Sequence, residues 1–350
     1  MRVRVLSAEA AQLLASSELV DTHIESFVWT RVIGYDLNER HGRGPLGGWF
    51  FSQCDLPRML DAGMTGAVFS IATNPFRRRA RRPGTLVRNV HRLRAALESN
   101  PRAAVVKDMD GYRRARSDGK LACFLAVQGG NAIGSPQDLE AIPDDMISRI
   151  TLVHLSRSSL GSSSAPGGRG SAGLTALGRE CVEAMNARRI VVDLAHISRR
   201  GFWGALDVHD RSQPVIVSHS GVCAMHESWR NVDDAQIKAI AKLGGIVGVM
   251  FHTGFLGESL IAGRAEAVVR HLEHVIRVGG EDTAAIGSDW DGLIVPPRDM
   301  RTVLQLPLLV QLMLDRGLTP ATVRKVLGAN YLRVMQAVRP GAPFTGKIPE

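Results

Sequence analysis

Val20-Asp21-Thr22-His23-Ile24-Glu25 is a short apolar run that ends on polar groups. The same design returns along the chain, in Thr151-Leu152-Val153-His154, Val192-Asp193-Leu194-Ala195-His196, Val217-Ser218-His219-Ser220 and Ile286-Gly287-Ser288-Asp289-Trp290-Asp291-Gly292. Each run is short and rich in Val, Ile or Leu, as expected of parallel strands buried on both faces. Working outward from these runs, eight strands are expected near Glu18–Ile24, Gly66–Ile71, Ala122–Val127, Ile150–His154, Ile190–Leu194, Val215–Ser218, Gly245–Met250 and Ala284–Gly287. Stretches with apolar residues at helical spacing separate them: Leu56–Ala62, Val87–Ser99, Leu174–Arg188, Asp233–Leu243, Ala265–Arg277 and Leu304–Arg316. A closing helix is expected over Pro320–Val338. Strand alternating with helix argues for parallel βα units. Eight of them suggest a (β/α)8 barrel, with a doubly wound open sheet as the alternative.

The fold assignment gives the polar strand ends their meaning. In such a barrel the catalytic residues come from the C-terminal ends of different strands. His23, His154, His196, His219 and Asp289 then meet at one mouth. Any one of these histidines alone is better read as a hydrogen-bonded structural residue. Four imidazoles converging with carboxylates make a site for zinc or another divalent transition metal. In His23-Ile24-Glu25 the two polar side chains share a strand face, because strand side chains alternate. His41, His91, His209, His226, His271 and His274 lack this placement and read as surface or structural, whereas His252 is ambiguous. Gln128 follows the third expected strand and precedes Gly129-Gly130, where a tight turn or close backbone approach is expected. Ser218-His219-Ser220 has no nucleophile elbow around it, which argues against a serine hydrolase.

Composition agrees with a globular protein. The chain has 350 residues, 45% of them apolar and 22% charged. One domain is expected over residues 1–350, with a mobile Gly/Ser-rich loop near 156–173, read equally as a lid or as a surface loop, and a short Pro/Gly-rich C-terminal tail. The 4 cysteines are far apart and form no CxxC pair, which favours a reducing cytoplasm. No signal peptide and no membrane span is read from the sequence. The formal charge is +9, and much of the excess sits in Arg77-Arg78-Arg79-Ala80-Arg81-Arg82, with Arg88, Arg92 and Arg94 following. Without interleaved aromatics this run reads as a solvated loop and helix face, the sharper reading being an anionic partner or an oligomer contact. No nucleic-acid partner is expected.

In combination and order, several motifs resemble the membrane (renal) dipeptidase family of the amidohydrolase superfamily. They are Gln53-Cys54-Asp55-Leu56-Pro57, the Gly-Leu-Thr start at Gly173, Met185-Asn186, Asp193-Leu194-Ala195-His196, Ser218-His219-Ser220, Trp229-Arg230-Asn231-Val232, Gly287 to Gly292, and Asn330-Tyr331-Leu332-Arg333-Val334. The similarity runs from about Val20 to Met335. It implies a (β/α)8 barrel with two zinc ions that cleaves dipeptides or N-acyl amino acids, often as a homodimer. It also implies roles: His23 and Glu25 as ligands of a first zinc, Gln128 between the two ions, and His196 and His219 as ligands of the second. His154 and Arg230 match substrate-binding positions, and Asp289 matches the acidic residue after the last strand. Two positions depart from the family pattern. Glu25 stands where an Asp is usual, and Gln128 stands where a Glu bridges the ions. An amide is a poor bridge between two dications, so one or two ions are expected, with the second site weakened. The alternatives are a relative that binds a small carboxylate or peptide without cleaving it, and one that acts on a specialised metabolite.

Overall fold

A computed structural model describes residues 6–74, 76–166 and 172–341. The strands are β1 (Val20–Ile24), β2 (Gly66–Ala72), β3 (Ala103–Val106), β4 (Leu121–Gln128), β5 (Ile147–Thr151), β6 (Val191–Asp193), β7 (Ile216–Ser220), β8 (Ile246–Val249) and β9 (Ala284–Ile286). All pairings between them are parallel and run in the order β1-β2-β4-β5-β6-β7-β8-β9. A parallel bridge between Ile24 and Trp290 joins the two ends. The protein is therefore an eight-stranded parallel barrel with helices, a (β/α)8 barrel.

All eight expected strands are present, with shifted bounds. β3 is an addition. It pairs with the first half of β4, from Ala103 opposite Leu121 to Val106 opposite Phe124, off the barrel path. Four residues, Ala-Ala-Val-Val, are too short a run to separate from helix by periodicity. The helix after it, Met109–Ser117, is strongly charged and was not expected either. The expected helix Val87–Ser99 begins earlier, at Arg82, where Pro83 fits its first turn.

Several motifs are helix starts. Asp55 caps the helix Leu56–Asp61, accepting from the Arg58 amide, and Pro57 sits in the first turn. Thr175 caps Ala176–Ala187. Gly178 in that helix lies so close to the loop before it that an added Cβ would meet the Leu160 carbonyl oxygen at 2.0 Å. Leu160, Ser162 and Ser163 of the Gly/Ser-rich segment are buried, and Gly161 and Ser163 bridge to Leu174 and Ile197. Residues 167–171 of the expected mobile loop, and 342–350 of the expected tail, lie outside the described residues.

One end of the barrel is plugged. Val20, Val68, Phe124, Val191, Ile216, Ile246 and Ala285 point inward from the strands and pack with Tyr331, Leu332 and Met335 of the helix Asn330–Val338. The Phe124 and Tyr331 rings meet edge to face at 5.8 Å. Truncating a ring in such a core costs about 3–5 kcal/mol. The site can therefore lie only at the opposite mouth. No helix among the described residues is long and apolar enough to cross a membrane.

Candidate active site

Above the plug, the interior turns polar. The Arg149 side chain, on β5, is fully buried. Its Nη1 pairs with Asp193 Oδ2 and donates to Thr151 Oγ1 at 2.8 Å and Ser218 Oγ at 3.2 Å. Its Nη2 donates to Ser70 Oγ at 2.9 Å and to His23 Nδ1 at 3.0 Å. One guanidinium thus ties β1, β2, β5, β6 and β7 together beneath the mouth.

The eight residues singled out in the sequence meet on top of it. His23 and His219 are fully buried, and their rings stack at 3.7 Å. His23 Nε2 lies 3.3 Å from Glu25 Oε1 and 3.7 Å from Asp289 Oδ1. The Nε2 atoms of His196 and His219 are 2.9 Å apart. Gln128 reaches His196 at 3.5 Å, and the His154 ring stands edge-on to His196 at 4.7 Å. Arg230 donates to the His219 carbonyl at 2.7 Å and lies 3.2 Å from His196 Nε2. Glu25, Gln128, His154, His196, Arg230 and Asp289 line one cavity of about 800 Å3. His252 lines it too. His209, His271 and His274 are buried elsewhere in structural hydrogen bonds. His154 and His196 sit three residues past β5 and β6 rather than on them.

Backbone strain is concentrated here. His196, Asp289 and Asp291 hold φ of 63°, 64° and 65°, where side chains with a Cβ are rarely found. Gly129 has φ 87°, and a Cβ there would stand 3.2 Å from the His154 Cβ. The sharp turn after the last strand is held by Asp21, whose Oδ1 accepts from the amides of His23 and Ser288 at 3.0 Å each.

Electrostatics follows from burial. Desolvation pushes Glu25 up to about 8, with repulsion from Asp289 adding to it. It raises Asp289 to about 8 as well, against the pull of Arg230. Burial and Arg230 hold His154 down at about 4. Burial also drives His23, His196 and His219 well below the usual histidine range, so all are neutral near pH 7. Arg230 is lowered to about 10 by burial, and no carboxylate forms an ion pair with it among the described residues.

Hydrogen-bond direction then fixes the tautomers. Arginine has no acceptor, so Nδ1 of His23 accepts from Arg149 and the ring proton stands on Nε2. His219 is the opposite case. The Ser218 hydroxyl donates to Asp193 Oδ2 at 2.6 Å and therefore accepts from His219 Nδ1 at 2.8 Å. The Nε2 lone pair of His219 faces the site. The reading against a serine nucleophile agrees with this fully buried, doubly engaged Ser218.

Arg149 was not singled out in the sequence. Its one signal there is a charge inside the apolar run Ile147-Ser148-Arg149-Ile150-Thr151, which suits an interior polar centre better than a strand face on lipid-like core.

Comparison with known proteins agrees with this geometry. Residues 7–342 match the family described as membrane dipeptidase, peptidase family M19. An uncharacterized protein from the pqqA 5' region of Klebsiella pneumoniae is 32% identical over 236 residues, covering 64% of this chain and 85% of that one. Among solved structures, the metallopeptidase called dipeptidase AC superposes with TM-score 0.81 at 25% identity, covering 93% of this chain and 100% of that one. A Rhodobacter sphaeroides metallopeptidase, solved with a phosphinate mimic of the dipeptide L-Ala-D-Ala, gives TM-score 0.79 at 24% identity, over 92% and 99% of the two chains. The chain is a dipeptidase-like hydrolase and belongs to the membrane dipeptidase family, peptidase family M19.

Proposed function

We propose that this protein is a metal-dependent hydrolase that cleaves the amide bond of a dipeptide or an N-acyl amino acid. The observation that carries the substrate class is Arg230, a cation only 4% exposed in the cavity wall and without a carboxylate partner among the described residues. A buried charge left unpaired is costly, and a substrate carboxylate supplies the partner through two parallel hydrogen bonds.

The donor set fits one ion. One ligand atom from each of His23, His219 and Asp289 lies within 4.8 Å of the others. The Nε2 atoms of His196 and His219 face each other at 2.9 Å, where two lone pairs repel unless a proton or a cation lies between them. Gln128 Oε1 is buried without a hydrogen-bond partner. His219 and Asp289 would hold the ion, joined by His23 once it gives up its Nε2 proton and by His196 across from His219. Imidazole with carboxylate suits zinc. When bound, such an ion polarises a carbonyl and acidifies water. Gln128 adds no negative charge, and that weakens any second site.

The side chains supply the rest. Arg230 holds the substrate carboxylate and sets the scissile amide against the histidines. His154, neutral near pH 7, donates a hydrogen bond to the oxygen that gains charge. Asp289 takes up a proton and passes it to the leaving amine. A protein that binds a small carboxylate without cleaving it is the second reading, favoured by the missing charge at Gln128. The 4 cysteines are free thiols, in keeping with a reducing compartment such as the cytoplasm.

Arg230→Met tests the reading. Ligands ending in a free carboxylate should weaken by ~2–5 kcal/mol, and their amides much less, with metal content unchanged. Equal losses for acid and amide would remove the carboxylate anchor. Zinc-loaded protein that binds dipeptides but never turns them over would select the second reading.

A further inference from the structure

A side pocket opens off the main cavity beside the end of β2. Arg31, Arg77, Arg82, Thr73, Thr85 and Asn89 line it, and among the described residues no carboxylate does. It holds about 30 Å3, room for about two water molecules or the two oxygens of one carboxylate. Arg31, Thr73, Arg77, Thr85 and Asn89 also line the main cavity, so the two spaces are continuous. Arg88 and Arg92, one and two turns further along the same helix, add two more cations to the main cavity wall.

The pocket is built rather than merely basic. Asn89 is 7% exposed, yet its amide makes no hydrogen bond among the described residues. Arg31 Nε is buried without a partner, while the guanidinium stands over the Phe27 ring at 5.3 Å. Arg82 is fixed by donating to the carbonyls of Arg77, at 2.7 Å, and Asn131, at 3.3 Å. Among the described residues no ion pair engages Arg31, Arg77, Arg88 or Arg92. Burial holds Arg31 below its ordinary value. Glu25 pulls it up, and Arg92 and Arg77 push it down again. Like charges crowded around an unpartnered amide are stabilised together when an anion enters.

We propose that this pocket binds a second carboxylate, at the end of the substrate away from Arg230. The inference rests on the reading of the cavity as an amide-cleaving site and narrows its substrates. They carry an acidic group on the acyl side of the scissile bond, as in a peptide beginning with Glu or Asp, or an amino acid acylated by a dicarboxylic acid. The arginine run beginning at Arg77 thereby gains a role at the cavity that the sequence alone did not give it.

The test uses two dipeptides that differ only in charge, Glu-D-Ala and Gln-D-Ala, with the zinc-loaded full chain. The glutamyl peptide should have the higher kcat/KM by roughly 10-fold at low salt. The advantage should shrink as ionic strength rises, because the rim arginines are exposed. Arg77→Gln, an exposed position that folding tolerates, should reduce the ratio, and Asn89→Leu should reduce it further. Equal kcat/KM for both peptides would overturn the inference while leaving the hydrolase reading intact. If neither peptide is cleaved, the hydrolase reading fails, and glutarate binding to the metal-free protein decides the pocket. A shift of the Asn89 side-chain amide resonance on adding glutarate, lost in Arg77→Gln, supports it; no shift overturns it.

Discussion

His23 and His219 stack face to face, 3.7 Å apart, in the same dry floor, yet they present opposite chemistry to the cavity. The cause lies one layer down. His23 rests its Nδ1 on a guanidinium, which can only donate. His219 rests its Nδ1 on a serine hydroxyl whose own proton goes to Asp193. The first ring therefore shows the site an N–H and the second a lone pair. Residue type and position alone make the two equivalent. The partner behind each ring separates them, and such partners are known to set the orientation and basicity of metal-binding histidines.

The largest expected effect comes from removing each ring in turn. His219→Ala should weaken metal binding by more than about 100-fold, since losing an outer partner alone costs 10–100-fold. His23→Ala should retain one equivalent with a loss under about 10-fold. Isothermal titration of the metal-free proteins reads both, and equal losses would abolish the distinction.

A sharper and smaller effect follows from Arg149→Gln. The Gln carbonyl can accept, so His23 is free to place its proton on Nδ1 and offer Nε2 to an ion. A second equivalent of metal should then bind about 10-fold more tightly than in the wild type. The substitution also leaves Asp193 without its cation, at about 3–5 kcal/mol, and the variant is expected to melt earlier. The wild type carries the decisive control. Long-range 1H–15N spectra of the metal-free protein should show His23 protonated at Nε2. A proton at Nδ1 would break the comparison whatever the variant does.

The smallest effect concerns pH. The Asp289 carboxyl is raised from 3.8 to about 8 by burial. Between those values the folded, metal-free protein holds more protons at this group than the unfolded chain does. Its contribution to stability is fully present below pH 4 and is lost as the pH rises toward 8. Asp289→Asn has no such proton, so its melting temperature relative to the wild type should climb across that range. Metal, which favours the ionised carboxylate, should reverse the order. A constant difference between the two proteins from pH 4 to 8 would contradict the raised value.

The barrel was legible because its strands are short, apolar and evenly separated by helical patterns. β3 escaped for want of length. Seven of the eight polar residues of the site were legible because each closely follows an apolar run, whereas Arg230, ten residues past β7, was marked only by the family resemblance. The tautomers of His23 and His219 were not, since these depend on Arg149, which reaches across the interior from β5, and on Ser218, whose own proton goes to Asp193 on β6. Nothing local to Arg149 names Ser70, His23 or Asp193 as its partners. Asn89 escaped for a similar reason. On a helix face it looks like any polar residue, and its significance appears only where the helix turns it toward Arg31.

The seam of the barrel has a consequence for how the protein is made. Asp21 binds the Ser288 amide across 267 residues of sequence, and the Glu25 amide meets the Trp290 carbonyl at 2.9 Å. Contacts between such distant segments form late and slow folding. A nascent chain that has emerged only as far as β8 carries both stacked histidines but not Asp289, nor the bridge that brings β1 to it. Such an intermediate can collect a metal only on an incomplete set of donors. A site that uses Asp289 would thus be completed only once synthesis has passed Trp290.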